Sequence, residues 1–172
     1  MKNILVPVAA IFLAIICFTS CGNKTEEVTA PAGMQVLDLT KYGKPFTLFV
    51  PDSSKGVLTV TEKNYMLEIA SGKSFGLVIE EGDGNMEQKR ADIKDGDGGV
   101  SKFKNYITDE PNMIVWESEI TKPEFHLYAI VTVGTAKYIV QDLNSTENEP
   151  YTSNDIKAIM EAVKSIKEKV KA

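Results

Sequence analysis

Residues 113–143 read MIVWESEITKPEFHLYAIVTVGTAKYIVQDL, and this stretch decides the fold class. It divides into three expected strands, Met113–Ile120, Glu124–Val133 and Ala136–Leu143. The last two are separated only by Gly134-Thr135, which suits a tight hairpin. Alternation along the middle strand puts Phe125, Leu127, Ala129, Val131 and Val133 on one face and His126, Tyr128 and Ile130 on the other. Apolar residues on both faces predict a central strand, with helices covering one side.

Working outward, earlier apolar runs continue the β pattern. Gln35–Leu39 and Phe46–Val50 flank Tyr42-Gly43-Lys44-Pro45, a turn-forming cluster. Val57–Thr61 and Tyr65–Ala70 flank Glu62-Lys63-Asn64 as a hairpin, and Phe75–Glu80 alternates as a fifth strand. Asn85–Lys94 is rich in helix formers, with Met86, Arg90 and Ile93 as inward contacts. Asp95–Gly99 is a loop by composition, and Phe103, Tyr106 and Ile107 at helical spacing predict a short helix over Lys102–Ile107. After the polar loop Asn144–Tyr151, Thr152 and Asp155 form an N-terminal capping signature for a helix from Ser153 to about Val170. Its stripe is Ile156, Ile159, Met160, Val163, Ile166 and Val170. Strand runs with segregated helices predict an α+β domain: a single antiparallel β-sheet covered by helices, closed by a long C-terminal amphipathic helix.

The beginning of the chain has a different composition. Lys2 is the only charge in residues 1–20, and Ile4–Phe18 is an apolar run followed by Thr19-Ser20-Cys21. A short basic start, an apolar core and small residues describe a secretory signal peptide; the run, interrupted by Pro7, is shorter than the roughly 20 residues a spanning helix needs. Phe18-Thr19-Ser20-Cys21 resembles the lipobox of bacterial lipoproteins. That resemblance implies cleavage before Cys21, lipidation of its thiol and acylation of the new amine. Residues 21–33 are then the lipidated Cys and a flexible tether, and 34–172 the single domain. Lys24-Thr25-Glu26-Glu27 resembles the charged export tags of surface lipoproteins of the Bacteroidetes group, or is a plain solvated spacer. Signal peptide and tether together resemble small lipoproteins of that group. The implied location is the cell envelope at the outer membrane, on its surface or periplasmic side.

For the domain, Phe46-Thr47-Leu48-Phe49-Val50-Pro51, the meander from Met113 to Leu143 and the closing helix around Ile159–Lys167 resemble the PsbP-like family in layout. The resemblance implies a central antiparallel sheet covered by helices, and a binding or assembly accessory rather than an enzyme.

The residue inventory points the same way. The 172 residues carry 19 Lys/Arg against 24 Asp/Glu, net −5, which opposes a nucleic-acid partner. Two Cys and one His are too few for structural zinc, and no phosphate-cradling or dinucleotide motif is present, so no cofactor is expected. Any Ser-His-Asp or Cys-His chemistry must use His126, which no nucleophile motif accompanies. Glu117 and Glu119 share a strand face, so a small carboxylate-based envelope hydrolase is the alternative. Asp95 and Asp97 are weak calcium candidates, although an EF-hand from Asp95 would place Val100 and Tyr106 where Gly and Glu are required. Trp116, Phe125, Tyr128 and Tyr138 read as core. Tyr42, Tyr65, Phe103, Tyr106 and Tyr151 stand at loops or element ends, and Tyr42 and Tyr106 are the candidate binding aromatics. The expected partners are the membrane, through the lipid anchor, and an envelope protein, polymer or small ligand.

Overall fold

The structure is a computed structural model that describes residues 29–99, 101–143 and 149–169. The signal peptide, Cys21, the start of the tether and Val170 lie outside the described residues. The strands are β1 (Met34–Asp38), β2 (Phe46–Pro51), β3 (Leu58–Lys63), β4 (Met66–Ser71), β5 (Phe75–Glu81), β6 (Lys102–Glu110), β7 (Met113–Glu119), β8 (Pro123–Val133), β9 (Ala136–Asp142) and β10 (Lys167–Glu168). Helix α1 spans Met86–Gly99 and α2 spans Ser153–Lys164.

The stretch that decided the reading lies inside the larger of two antiparallel sheets. β8 pairs with β9 through the expected hairpin, Val133 opposite Ala136, and with β7 on its other side. The seven-stranded order is β3-β4-β5-β9-β8-β7-β6, so β8 is interior, as its two apolar faces require. β1, β2 and β10 form a separate three-stranded sheet in the order β1-β2-β10.

The expected single helix-covered sheet with a long closing helix is therefore corrected. Among the described residues, strands make up 50% and helix 20%, in two sheets with two short helices. The PsbP-like layout falls with it. Two local causes account for much of the difference. First, α2 stops at Lys164, although the apolar stripe continues to Ile166. Ser165 turns its hydroxyl back onto the Ala162 carbonyl at 2.6 Å and accepts the Phe49 N–H at 2.7 Å. Such local bonding competes with helix continuation. Lys167 and Glu168 then pair with Thr47 and Phe46 at the free edge of β2.

Second, Lys102–Glu110 is a strand rather than a helix. Its register against β7 shifts between Phe103 and Asn105 and again between Tyr106 and Thr108. Each bulge inserts a residue and breaks the two-residue period. Phe103 and Tyr106, three apart, thereby reach one face with ring centroids 4.8 Å apart. A bulged strand has imitated helical spacing.

The segment 95–99, expected as a loop, belongs to α1. Gly96 takes φ +70°, and the Ser101 N–H donates back to its carbonyl at 3.3 Å. A Cβ at Gly96 would lie 2.1 Å from the Ser101 oxygen, so only glycine fits.

Each face of the large sheet has its own core. On one, Leu67, Ile69, Leu77, Ile79, Leu127 and Val140 meet Phe46, Leu48 and Val50 of β2 and Ile156 and Ile159 of α2, nearly all without solvent exposure. Burying an Ile or Phe side chain contributes about 1.5–3 kcal/mol. On the other, Ile93 of α1 packs with Ile114, Trp116 and Tyr128. Arg90, expected to point inward, instead bonds Asp109 at 2.9 Å and the Glu110 carbonyl at 2.8 Å, tying α1 to β6.

The α2 start matches its sequence signature. Asp155 accepts from the Thr152 N–H at 2.8 Å, while its own N–H donates to the Thr152 hydroxyl oxygen at 3.3 Å. Thr152→Ala is expected to cost about 1 kcal/mol, read as an earlier urea midpoint with an unchanged slope.

Candidate functional site

The α1 side of the large sheet is only partly covered. Beside the helix lies a cleft of about 310 Å³, lined in part by Glu68, Lys89, Trp116, Ser118, His126, Gln141 and Asp142. Strand register explains the gathering. Trp116 on β7 is opposite His126 on β8, and Gln141 on β9 sits between Val78 of β5 and Tyr128 of β8. Residues far apart in sequence thus reach one side of the sheet.

His126 is the centre of this cleft. Its Nδ1–H donates to Asp142 Oδ2 at 3.2 Å, since a carboxylate can only accept. Its Nε2 faces Glu124 Oε2 at 3.6 Å. The ring packs against the Trp116 indole, centroids 5.1 Å apart and tilted by 31°. Burial alone would lower the His126 pKa. The Asp142 hydrogen bond and the Asp142 and Glu124 charges outweigh burial and the opposing Lys89 charge, so the net shift is upward.

Asp142 is held firmly. Its side chain is 6% exposed, and Oδ1 accepts the buried Leu127 N–H at 2.7 Å. One carboxylate thus finishes a strand and orients the imidazole. Above the aromatic pair, Lys89 Nζ lies 5.5 Å from the Trp116 centroid and 5.4 Å from that of Tyr128, an ammonium over two π faces. Ser118 lines the same cleft, 2% exposed, and its Oγ has no hydrogen-bond partner among the described residues.

Other sequence candidates scatter. Asp95 is exposed on α1, and Asp97 shares that helix rather than a glycine loop. Among the described residues, no group of three or more His, Cys, Asp or Glu could hold a metal ion. Glu119 is half-buried and paired with Lys104, and Glu117 is half-buried on the opposite face from His126. Neither joins the cleft. Tyr106 is spent on packing: it is half-buried against Phe103, with its hydroxyl 3.5 Å from the Arg90 carbonyl. Burial, with Asp109 nearby, raises its pKa. Tyr151 is buried.

Tyr42 ends a 3-10 turn (Thr40–Tyr42), half-buried, with Lys41 Nζ 4.9 Å from its ring centroid. It lines a second groove, of about 510 Å³, together with Tyr65, which is 98% exposed.

Sequence reasoning reaches His126 only as the single histidine, a strand residue without a nucleophile motif, and misses its partners. Asp142 was an ordinary strand-end acid, 16 residues away, and nothing in a linear pattern marks Ser118 or Lys89. Trp116 is 9% exposed, a core residue as its strand position predicts, and it also walls the cleft. Among the described residues, no helix is long and apolar enough to cross a membrane. No protein-family model and no curated protein matches the chain, so its functional reading rests on these residues.

Proposed function

We propose that the chain is a lipid-anchored protein of the cell envelope, held at the outer membrane through Cys21, and that its domain is a non-catalytic binding or assembly accessory. The anchor rests on the Phe18-Thr19-Ser20-Cys21 sequence after an uncharged apolar run. Each buried acyl methylene contributes about 0.8 kcal/mol, and two chains already hold a protein stably. The occupant of the cleft is a partner protein segment, an envelope polymer or a small ligand.

The observation that carries binding over hydrolysis is the disposition of His126. Both ring nitrogens face carboxylates, and Ser118 Oγ, which lines the same cleft, is buried without a hydrogen bond to the ring. A serine nucleophile needs that base within hydrogen-bond reach. The carboxylate alternative fares no better. Glycoside cleavage uses two acids on opposite sides of a sugar, whereas Asp142 and Glu124 bracket the same imidazole. This geometry suits holding a polar ligand beside Trp116.

The anchor is tested by metabolic labelling with a fatty-acid analogue and fractionation of envelopes. Cys21→Ser is expected to abolish the label and to release soluble or unprocessed protein. Unchanged labelling would overturn the anchor. Turnover of acyl or glycosyl nitrophenol substrates that disappears in His126→Ala would overturn the non-catalytic reading.

A further inference from the structure

The Asn64-Tyr65 turn breaks a local rule with no return inside the molecule. β3 and β4 are joined by two residues, with Lys63 opposite Met66. Both turn residues have positive φ, 49° at Asn64 and 70° at Tyr65. Such hairpin turns favour asparagine followed by glycine, because the second residue must adopt left-handed backbone. Asn64 fits the pattern. Tyr65 stands where glycine would be relaxed, and a bulky side chain at positive φ is an outlier.

Burial does not compensate, because Tyr65 is 98% exposed, the most exposed large apolar side chain among the described residues. A fold that accepts strain to display a ring to solvent points to an intermolecular contact. The ring also borders the 510 Å³ groove, which Tyr42, Lys44, Glu62, Glu80 and Glu81 line with it.

We propose that this groove is a carbohydrate-binding site, with Tyr65 and Tyr42 as the aromatic platform for a sugar ring. The lining chemistry selects the class. The faces of a pyranose ring are apolar and stack on aromatic rings, while its equatorial hydroxyls need carboxylates, amides and ammonium groups around the rim. Glu62, Glu80, Glu81, Asn64 and Lys44 supply that rim. Lys44 is already oriented by Glu81, with Nζ and Oε2 3.4 Å apart.

A protein partner fits less well, because interface cores are depleted of charge and this groove is dominated by it. A nucleic acid would meet three carboxylates on a chain of net charge −5. The groove shares Met66 with the His126 cleft and is otherwise lined by different residues. The inference names a ligand class for the binding reading but uses neither Cys21 nor His126, so the two can fail separately.

The test is native affinity electrophoresis of the full-length chain in non-ionic detergent. Gels contain dextran, xylan or glucomannan, and a parallel assay measures co-sedimentation with peptidoglycan sacculi. Retention by at least one of the four is expected. Tyr65→Ala should weaken it about tenfold, and Tyr65→Trp should keep it. Tyr65→Gly should lose retention while its Tm holds or rises, because glycine relieves the turn. No retention by any of the four, unchanged retention in Tyr65→Ala, or a lower Tm in Tyr65→Gly would each overturn the proposal.

Discussion

Asp142→Ala is expected to destabilise the domain by about 3–5 kcal/mol, the range for removing one partner of a buried charged pair. Two losses combine at this position. The Leu127 N–H, buried and donating to Asp142 Oδ1 at 2.7 Å, is left without an acceptor. His126 loses the group that offsets its burial. Asp142→Asn keeps an acceptor for Leu127 and should cost less.

The same variant should change the pH profile, and the direction follows from His126. In the folded chain its pKa lies above the ordinary 6.5. The pair therefore contributes fully below about 6.5 and loses its contribution as pH rises through the higher folded value. In Asp142→Ala, burial becomes the dominant influence and depresses the His126 pKa. Stability is then lost as pH falls through 6.5, the reverse slope. Urea unfolding at pH 5.5 and 8 separates the cases. Trp116 is the single tryptophan and lies 5.1 Å from the imidazole, so its emission reports the same titration. Equal slopes in wild type and variant would defeat the assignment of Asp142 as the controlling partner.

What could be read from the chain follows the range of the interactions involved. The β8–β9 hairpin was legible because its turn and its period-two pattern are both local. The start of α2 was legible for the same reason, since Thr152 and Asp155 satisfy each other three residues apart. β6 differs from the expected helix because the bulge between Phe103 and Asn105 puts Phe103 and Tyr106 on one face, a spacing that a linear scan assigns to a helix. The end of α2 was misread because Ser165 answers to Phe49, 116 residues earlier, and no local signal reveals that bond. The site divides in the same way. Composition alone nominated His126, whereas Asp142, Ser118 and Lys89 join it only through strand register and helix placement. Tyr65 was read as the first residue of a strand; its left-handed backbone is a property of the two-residue turn that the pairing of Lys63 with Met66 imposes.

The second large effect concerns the seam between the sheets. Phe46 begins β2, has no solvent exposure, and meets the Tyr138 ring of β9 edge-on at 5.0 Å and 66°. Its strand is flanked by β1 on one side and β10 on the other, so the whole three-stranded sheet registers on it. Phe46→Ala removes a ring from a fully packed position and should cost about 3–5 kcal/mol, the transfer loss plus an unfilled cavity. Phe46→Leu fills more of the space and should cost less. Against a typical domain stability of about 5–15 kcal/mol, the alanine variant would be left close to unfolding. The way it unfolds is as informative as the amount. Phe46, Leu48 and Val50 share one core with Leu77, Leu127 and Val140, so the two sheets should melt together. Trp116 lies on the opposite face of the large sheet, in the α1 cluster, and gives an independent probe. Urea curves from Trp116 emission and from far-ultraviolet circular dichroism should coincide in wild type and shift together in Phe46→Ala. If the dichroism signal fell first while the Trp116 transition stayed in place, the small sheet would be a separately melting layer. The seam would then hold less of the fold than its buried contacts imply.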